Sequence, residues 1–354
     1  VGADVSRDTV LEAGGRKLPE AEDRGERVGV MAEALPVYLK KAVDSGAIDG
    51  VISLGGGGGT AIATAGMRAL PIGFPKLMVS TLASGNTAHY VGTKDIVMFP
   101  SIVDVAGLNQ ISKTIFARAA GAICGMVAAV PATAEEKPII VASMFGNTTE
   151  CVDHARGLLE EKGYEVLVFH STGTGGKTME SLIESGMVKG VLDITTTEWA
   201  DELVGGTLSA GPGRLGAAGR ACVPAIVTPG CLDMANFGER DTVPACYEGR
   251  NFYIHNPQVT LMRTTAEECA KLGKILADKV NAYTAPVTVL LPTKAISIIS
   301  AEGQPFYDAD ADAALFAAIR DNLSDAVGLI EVDAEINDPA FSAACAEALL
   351  KNLC

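Results

Sequence analysis

The chain has 354 residues, enough for two domains of about 150 residues each, and a formal net charge of −15. Hydrophobic residues make up 48% and charged residues 20%, which is typical of a folded globular protein and excludes a disordered one. The acidic balance and the lack of any Lys/Arg-rich run argue against nucleic acid or an anionic membrane as a partner.

Short apolar runs alternate with longer helical patterns, which predicts parallel strands covered by helices on both faces. In the first part of the chain we expect strands at 48–54, 75–81 and 95–99, then a long helix at about 108–130. Residues 1–26 are polar and are predicted to form a loop, whereas a Rossmann-type domain usually begins with a strand. Either this domain starts with an unusual segment, or residues that precede it are missing from the chain.

A stretch rich in Ala, Pro and Glu at 131–137 predicts a linker, after which the same alternation restarts. Further strands are predicted at 138–144, 165–170, 190–194, 225–228 and 286–291, with a helix at 150–162. The predicted fold class is α/β. We expect two Rossmann-like subdomains with doubly wound parallel sheets, 1–131 (lacking its first strand) and 138–354, with a cleft between them.

A run of five glycines and a threonine follows the first predicted strand and leads into a helix, at Gly55, Gly56, Gly57, Gly58, Gly59 and Thr60. Residues without Cβ let backbone N–H groups approach a ligand, and a helix N-terminus adds partial positive charge. This pattern predicts a phosphate or carboxylate site; the alternative is a tight turn packed against a neighbour. It is not the dinucleotide fingerprint, because no acidic residue follows about 20 positions later at a second strand end.

Polar groups also follow the second predicted strand, at Ser84, Gly85 and Asn86. His89 lies nearby and is a candidate general base, although a lone loop histidine is more often a surface residue. Asp104 and Asn109 precede the long helix and either cap it or contact a ligand.

The second half contains a comparable loop between a strand and a helix, at Thr172, Gly173, Thr174, Gly175, Gly176 and Lys177. Its end resembles a phosphate loop, but the leading glycine of that motif would have to stand at Ser171. We therefore expect a looser anion site in which Lys177 binds the ligand, neutralises charge and serves as a catalytic group. His170 ends the preceding strand and either faces this site as a catalytic group or is satisfied at the core edge.

Further polar groups flank this loop, and we predict ligand contacts at Gly146, Asn147, Thr148, Thr195, Thr196 and Thr197. Magnesium would be held by Asp193, Glu198 or Asp201, whose alternative role is to cap a helix N-terminus. Two more loops are expected at 228–236 and 255–264. Arg263 in the latter either clamps a phosphate or carboxylate or forms an ion pair with Glu267.

The eight cysteines show no C-x-x-C spacing, which favours reduced and mostly buried thiols over a disulfide framework. No signal peptide and no apolar run of about 18 residues is recognised. We therefore expect a cytoplasmic protein without a membrane span.

Taken together, these stretches resemble the ATP-binding family of uncharacterised bacterial and fungal proteins that includes a tomato protein inhibiting tobamovirus RNA replication. The resemblance covers nearly the whole chain and is carried by residues 51–86, DVAGLNQIS (104–112), VFHSTGTGGKTMESLI (168–183), LDITTTEWADELVGG (192–206), HNPQVTLMRTT (255–265) and INDPAF (336–341). It implies two Rossmann-like subdomains, ATP binding and a homodimer. Members usually open with a strand and a T-A-D-T-K-type loop, which this sequence lacks, and no catalytic residue carries over.

Three functions are compatible with these patterns. The first is an ATP-binding protein, with magnesium and a small anionic co-ligand, that serves as an ATP-dependent enzyme of small-molecule metabolism. The second is a non-catalytic module that senses a nucleotide or metabolite and acts through a protein partner. The third is a nucleotide-independent hydrolase or lyase of a small carboxylate or sugar acid, with His89 or His170 as general base.

Overall fold

The structure is a computed structural model that describes residues 2–20, 23–130 and 136–354, and its chain divides into two compact units, Val1–Ala134 and Glu135–Cys354. The linker predicted at 131–137 lies almost entirely outside the described residues. The described α-helices are α1 (Arg7–Ala13), α2 (Arg24–Asp44), α3 (Gly57–Arg68), α4 (Ala88–Val91), α5 (Gln110–Ala128), α6 (Thr149–Glu161), α7 (Thr174–Glu184), α8 (Glu198–Val204), α9 (Ala217–Ala221), α10 (Ala266–Asn281), α11 (Ala309–Asn322) and α12 (Pro339–Asn352). The strands are β1 (Val51–Gly55), β2 (Lys76–Ser80), β3 (Val97–Pro100), β4 (Ile139–Met144), β5 (Glu165–His170), β6 (Val188–Thr195), β7 (Ala225–Gly230), β8 (Met234–Phe237), β9 (Phe252–Asn256), β10 (Val259–Arg263), β11 (Val287–Pro292) and β12 (Gly328–Val332).

The first unit is built on a three-stranded parallel sheet in the order β1-β2-β3. Successive residues of the buried central strand point to opposite faces. Met78 packs with Met67 of α3 on one face, and Leu77 packs with Ile123 of α5 on the other. The three predicted strands and the long helix are confirmed, and the carboxyl ends of all three strands lie at one edge of the sheet.

The polar opening of the chain contains helix α1 and the start of helix α2, so the prediction of a loop over residues 1–26 is wrong for residues 7–13 and 24–26. Ser6 caps α1 by accepting a hydrogen bond from the backbone N–H of Thr9. Val10 and Leu11 are buried with Ala34 of α2. Two adjacent apolar residues on one short helix give too weak a periodic signal for the helix to be recognised from sequence.

Helix α5 is the one helix of the described ranges that is long and apolar enough to cross a membrane. Within its most apolar 18 residues, 17% are buried. This corrects the expectation that no apolar stretch of that length exists. The criterion rests on length and composition only, and core helices of globular proteins also satisfy it.

The second unit contains a six-stranded parallel sheet in the order β12-β11-β7-β6-β4-β5. Chain order reverses between β4 and β6, because β5 lies on one side of β4 and the later strands lie on the other. Helices α6 and α12 pack together on one face, where Ile140, Leu192 and Phe341 belong to a single buried cluster. Helix α7 contacts β4 and β5. The helices and strands of both units therefore form a mixed α/β fold with two parallel sheets.

A second, antiparallel sheet in the order β8-β10-β9 was not predicted. Its strands overlap the two segments, 228–236 and 255–264, that the sequence analysis predicts to be loops. The loop prediction is therefore wrong for residues 234–236 of β8, 255–256 of β9 and 259–263 of β10. These strands have four or five residues and carry polar side chains, which makes their apolar pattern short. Strand β12 was missed because its residues are exposed or only half-buried at the sheet edge.

All eight cysteines are free thiols in the structure. The free thiols agree with the expectation of reduced cysteines. Four are buried and four are exposed, so the expectation that most are buried holds for only half of them. The buried ones are Cys151, Cys231, Cys269 and Cys345.

Candidate functional site

The glycine run after β1 forms the N-terminus of α3. Gly56 is the N-cap residue, the helix begins at Gly57, and no side chain caps it. The N–H groups of a first helical turn have no partner within the helix, so they are available to a ligand where the surface is open. Gly57 is exposed, and Gly58 and Gly59 are half-buried. Thr60 is buried, and its Oγ1 lies 2.7 Å from Ser80 Oγ at the end of β2.

Packing explains only one of these five glycines. A Cβ at Gly55 would lie 2.9 Å from the Cα of Gly59, which is too close. At Gly57 the nearest heavy atom would be 3.9 Å away and at Gly58 3.4 Å away, which are ordinary contacts. No glycine of the run has positive φ. Because glycine in a helix costs about 0.5–1 kcal/mol relative to alanine, the fold itself would favour alanine at these positions.

An arginine that sequence reasoning missed lies beside this helix terminus. Arg24 begins α2, and its Nη2 is 4.0 Å from the position that a Cβ on Gly58 would occupy. The side chain is exposed. Guanidinium groups and unpaired helix N–H groups both favour anions, so the two features act on the same ligand class. Arg24 lies in the stretch that was interpreted as a loop, so no sequence signal linked it to the glycines.

A cavity of about 470 Å³ lies at the carboxyl ends of β2 and β3, lined by Ser80, Thr81, Ser84, Pro100, Ile102, Val103 and Asp104. It adjoins the glycine helix, because a Cβ on Gly56 would lie 3.6 Å from Thr81 Oγ1. Asp104 accepts a hydrogen bond from the following backbone N–H, and Asn109 caps α5. Ligands of open α/β sheets bind at this edge.

The other predicted residues of this unit have local roles. Asn86 accepts a hydrogen bond from the N–H of Ala88, and the N–H of Gly85 binds the carbonyl of Leu82. His89 lies against Tyr90, with ring centroids 4.0 Å apart and the rings tilted by 43°, and it does not line the cavity. The structure therefore brings Ser84, but not His89, to the edge where a ligand would bind.

In the second unit, the glycine loop before α7 is filled by the protein's own carboxylate. Glu198 Oε1 accepts hydrogen bonds from the N–H groups of Gly173, at 2.7 Å, and Gly176, at 3.1 Å. Its Oε2 accepts from Arg214 Nε at 2.6 Å. The anion that this loop was expected to bind from solution is therefore supplied by the fold.

Packing explains all three glycines of this loop. Gly173 has φ of 78°, and a Cβ there would lie 2.8 Å from the carbonyl oxygen of Ser209. A Cβ on Gly175 would overlap the His170 carbonyl, and one on Gly176 would overlap the Glu198 carboxylate. Two other predicted residues, Thr174 and Lys177, are exposed on α7, and Thr172 Oγ1 donates to the His170 carbonyl.

The three predicted magnesium ligands are buried, and protein donors bind their carboxylates. Asp193 accepts two 2.6 Å bonds from the guanidinium of Arg214 and one from Ser143. Asp201 accepts from the N–H groups of Leu208 and Asn236 and from the Asn236 side chain. Within residues 2–20, 23–130 and 136–354, no group of three or more His, Cys, Asp or Glu side chains is placed to hold a metal. The residues present do not fit the expected ion, because an ion at Asp193 or Glu198 would have to displace Arg214 and one at Asp201 would have to displace Asn236.

Burial also changes the acidity of this cluster. It raises the pKa of Asp201 to about 7 despite the three hydrogen bonds that favour the charged form. It raises the pKa of Glu198 as well, outweighing the attraction of Arg214. These shifts result from desolvation and not from an open site.

The predicted threonine and arginine ligands are likewise used internally. Thr195 Oγ1 bonds Thr148 Oγ1, while Thr196 and Thr197 donate to backbone carbonyls. Arg263 donates to the Phe306 carbonyl and to Asp312, and the alternative pairing with Glu267 is wrong because Glu267 pairs with Lys271. Neither these threonines nor Arg263 line the cavity of about 370 Å³ beside Asp312 or the cavity of about 380 Å³ beside His170.

A second cavity, of about 380 Å³, lies at the carboxyl ends of β4 and β5. Gly146, Asn147 and His170, all predicted from sequence, line it. Tyr253 and His255 of β9 line it too and were missed, because β9 was not recognised as a strand. The cavity adjoins the place where the strand order reverses, which is where sheets of this kind bind ligands.

The fold thus defines an α/β protein of two units, each with a parallel sheet and a cavity at the carboxyl ends of its strands. Models of the uncharacterised protein family UPF0261 match both units, the N-terminal domain over residues 1–132 and the C-terminal domain over residues 137–353. The chain belongs to the UPF0261 family.

Three relatives illustrate the range of this similarity. A UPF0261 protein of Clostridium tetani is 48% identical over 351 residues, covering 98% of this chain and 87% of its own length. One from Rhizobium meliloti is 45% identical over 350 residues, with the same coverage. The ToMV resistance protein Tm-1(GCR237) of Solanum lycopersicum is 43% identical over 301 residues, which span 83% of this chain and 40% of that protein.

Proposed function

We propose that the chain binds a nucleotide, ATP being the candidate, and that its phosphates contact the N-terminus of α3 in the first unit. The observation that carries this proposal is that Gly57 and Gly58 are unnecessary for packing and unfavourable for the helix. Such residues keep the backbone accessible to a ligand. By contrast, the glycines before α7 are required by packing and their N–H groups are occupied.

The chemistry of the neighbouring groups supports a phosphate ligand. The uncapped N–H groups of the first turn donate to oxygens, and the guanidinium of Arg24 forms bidentate bonds with phosphate. Hydroxyl groups of Thr81 and Ser84 line the adjoining cavity. ATP carries magnesium in solution, but the buried carboxylates of the second unit do not provide a site for the ion.

The proposal is tested by a Gly57→Ala/Gly58→Ala variant of the full chain, titrated with ATP by calorimetry with and without magnesium. Two methyl groups over the N–H groups should weaken ATP binding at least about tenfold, equivalent to about 1.4 kcal/mol. The melting temperature should be unchanged or higher, since alanine favours the helix. Loss of affinity in a more stable protein separates ligand binding from folding.

Two further variants complete the experiment. Arg24→Ala should weaken ATP binding without lowering the melting temperature. Gly121→Ala is the matched control, because Gly121 is an exposed helix glycine of α5 with no heavy atom near its Cβ position. It should stabilise the unit and leave ATP binding unchanged. Wild-type affinity in the Gly57→Ala/Gly58→Ala variant would contradict the proposal.

Measurement of ATP turnover distinguishes the three functions that the sequence suggests. An ATP-dependent enzyme converts ATP to a defined product, whereas a sensing module binds ATP without turnover. A nucleotide-independent hydrolase or lyase would show no saturable response to ATP at all. A homodimer, a cytoplasmic location and a nucleotide held between two Rossmann-like subdomains stay predictions.

A further inference from the structure

The cavity of the second unit is enclosed largely by apolar side chains from two sheets. Leu261 and Ile299 of its lining are buried, and Phe145, which follows β4, lines it as well. From β9, residues 253 and 255 face it together because they are two positions apart, while Ile254 between them is 61% exposed on the other face. The shape suits a ligand with a compact apolar body.

Two histidines, both exposed, provide imidazole groups in this lining. His170 and His255 border the cavity, and no Asp, Glu, Lys or Arg is among the residues that line it. The His170 ring lies edge-on to the ring of Phe145, with centroids 6.1 Å apart. The amide of Asn147 is the other polar side chain besides the hydroxyl of Tyr253. All of these groups can donate hydrogen bonds at an otherwise apolar surface.

We propose that this cavity binds a small monocarboxylate with an apolar, ring-sized body, whose carboxylate accepts hydrogen bonds from His170 and His255. A cationic ligand is disfavoured because no carboxylate lines the cavity to neutralise it. A phosphate dianion is disfavoured because neither Arg nor Lys is present, and these are the usual phosphate ligands. The site is independent of the nucleotide proposed for the first unit.

The experiment compares three naphthalene probes that share the apolar body. Naphthalene-1-acetate carries a carboxylate, naphthalene-1-acetamide is its neutral analogue, and 1-naphthyl phosphate carries a dianion. Binding to the full-length chain is measured by calorimetry and by ligand-observed NMR. The acetate should bind saturably and at least about tenfold tighter than the acetamide, as expected for hydrogen bonds to a charged group.

Variants then assign the interaction to the two histidines. His170→Phe and His255→Phe keep an aromatic ring but remove the nitrogen donors, so each should reduce the preference for acetate over acetamide toward unity. Ile298→Trp fills the mouth of the cavity and should abolish binding of both probes. Ile254→Thr is the matched control on β9, because its side chain faces away, and should leave both affinities unchanged.

Each contrary result overturns a defined part of the inference. Equal affinity for naphthalene-1-acetate and naphthalene-1-acetamide would show that the cavity does not recognise a carboxylate. Tighter binding of 1-naphthyl phosphate would show that it prefers a phosphate. If both histidine variants are folded by circular dichroism and still prefer the acetate over the acetamide, His170 and His255 do not bind the carboxylate. The absence of saturable binding for all three probes would overturn the site itself and leave the ATP proposal unaffected.

Discussion

Replacing the buried Asp201 by asparagine should stabilise the second unit. Asp201 accepts hydrogen bonds from the N–H groups of Leu208, at 3.1 Å, and Asn236, at 3.0 Å, through the same oxygen. Its other oxygen faces the Asn236 side chain, whose own Oδ1 is buried and has no partner. An asparagine at position 201 keeps the first two bonds. Its amide group can then donate to Asn236 Oδ1 once the Asn236 side chain turns over, and this bond replaces the one that Asn236 Nδ2 donates to Asp201.

The size of the effect follows from the acidity of the carboxyl group. Burial raises the pKa of Asp201 from 3.8 to about 7, and each tenfold change in proton affinity corresponds to about 1.4 kcal/mol. The folded state therefore holds a proton that the unfolded state loses, and the stability from this group falls as pH rises from about 4 to about 7. Asparagine mimics the protonated form. We expect a gain of up to about 4 kcal/mol at pH 8 and about half of it at pH 5.5.

The single tryptophan provides the assay. Trp199 is buried in α8, two residues before Asp201, so its fluorescence in a urea titration reports on the second unit alone. Asp325→Asn is the matched control, since it removes an exposed carboxylate and should change stability by less than about 0.5 kcal/mol. The reasoning fails if Asp201→Asn is less stable than the wild type at pH 8, or if its gain is the same at both pH values.

Three further predictions concern stability. Arg214→Met leaves Asp193 and Glu198 buried without a cation and should cost about 3–5 kcal/mol by Trp199 fluorescence; adding Asp193→Asn and Glu198→Gln should restore part of it, and no recovery would argue against charge as the cause. Gly175→Ala forces a methyl group onto the carbonyl at the end of β5 and should lower the melting temperature or prevent folding, so an unchanged melting temperature would refute the predicted overlap. Asn109→Ala removes the capping box of α5 and should cost about 1 kcal/mol by circular dichroism in urea, with Asn109→Ser retaining most of the stability.

Most of the parallel sheets could be predicted from sequence, because buried parallel strands are continuous apolar runs. The strands that were missed lack that property. Strand β9 reads FYIHN, with half-buried and exposed positions, and β12 lies at a sheet edge. Helix α1 has only two buried residues. Tertiary contacts, and not local pattern, determine these elements.

The candidate sites were less accessible to sequence reasoning than the fold. The two glycine loops have the same local pattern, yet one N-terminus is open and the other is occupied by Glu198 from a different strand end. A pattern of residues cannot distinguish them, since the difference depends on a contact between positions about 25 residues apart. Arg24 and His255 were missed because helix α2 and strand β9, which position them, were interpreted as loops.

The pairing of Glu198 with α7 has a consequence for how such loops change in evolution. A tethered carboxylate competes with free anions at an effective concentration in the millimolar range or higher, so a free anion has to exceed that concentration to displace it. Shortening that one side chain would leave two backbone N–H groups and the Nε of Arg214 facing an anion-sized vacancy. Added formate or acetate should then restore stability by chemical rescue. Substitution of Glu198 alone would therefore convert a loop that binds the protein's own carboxylate into one that binds an anion from solution.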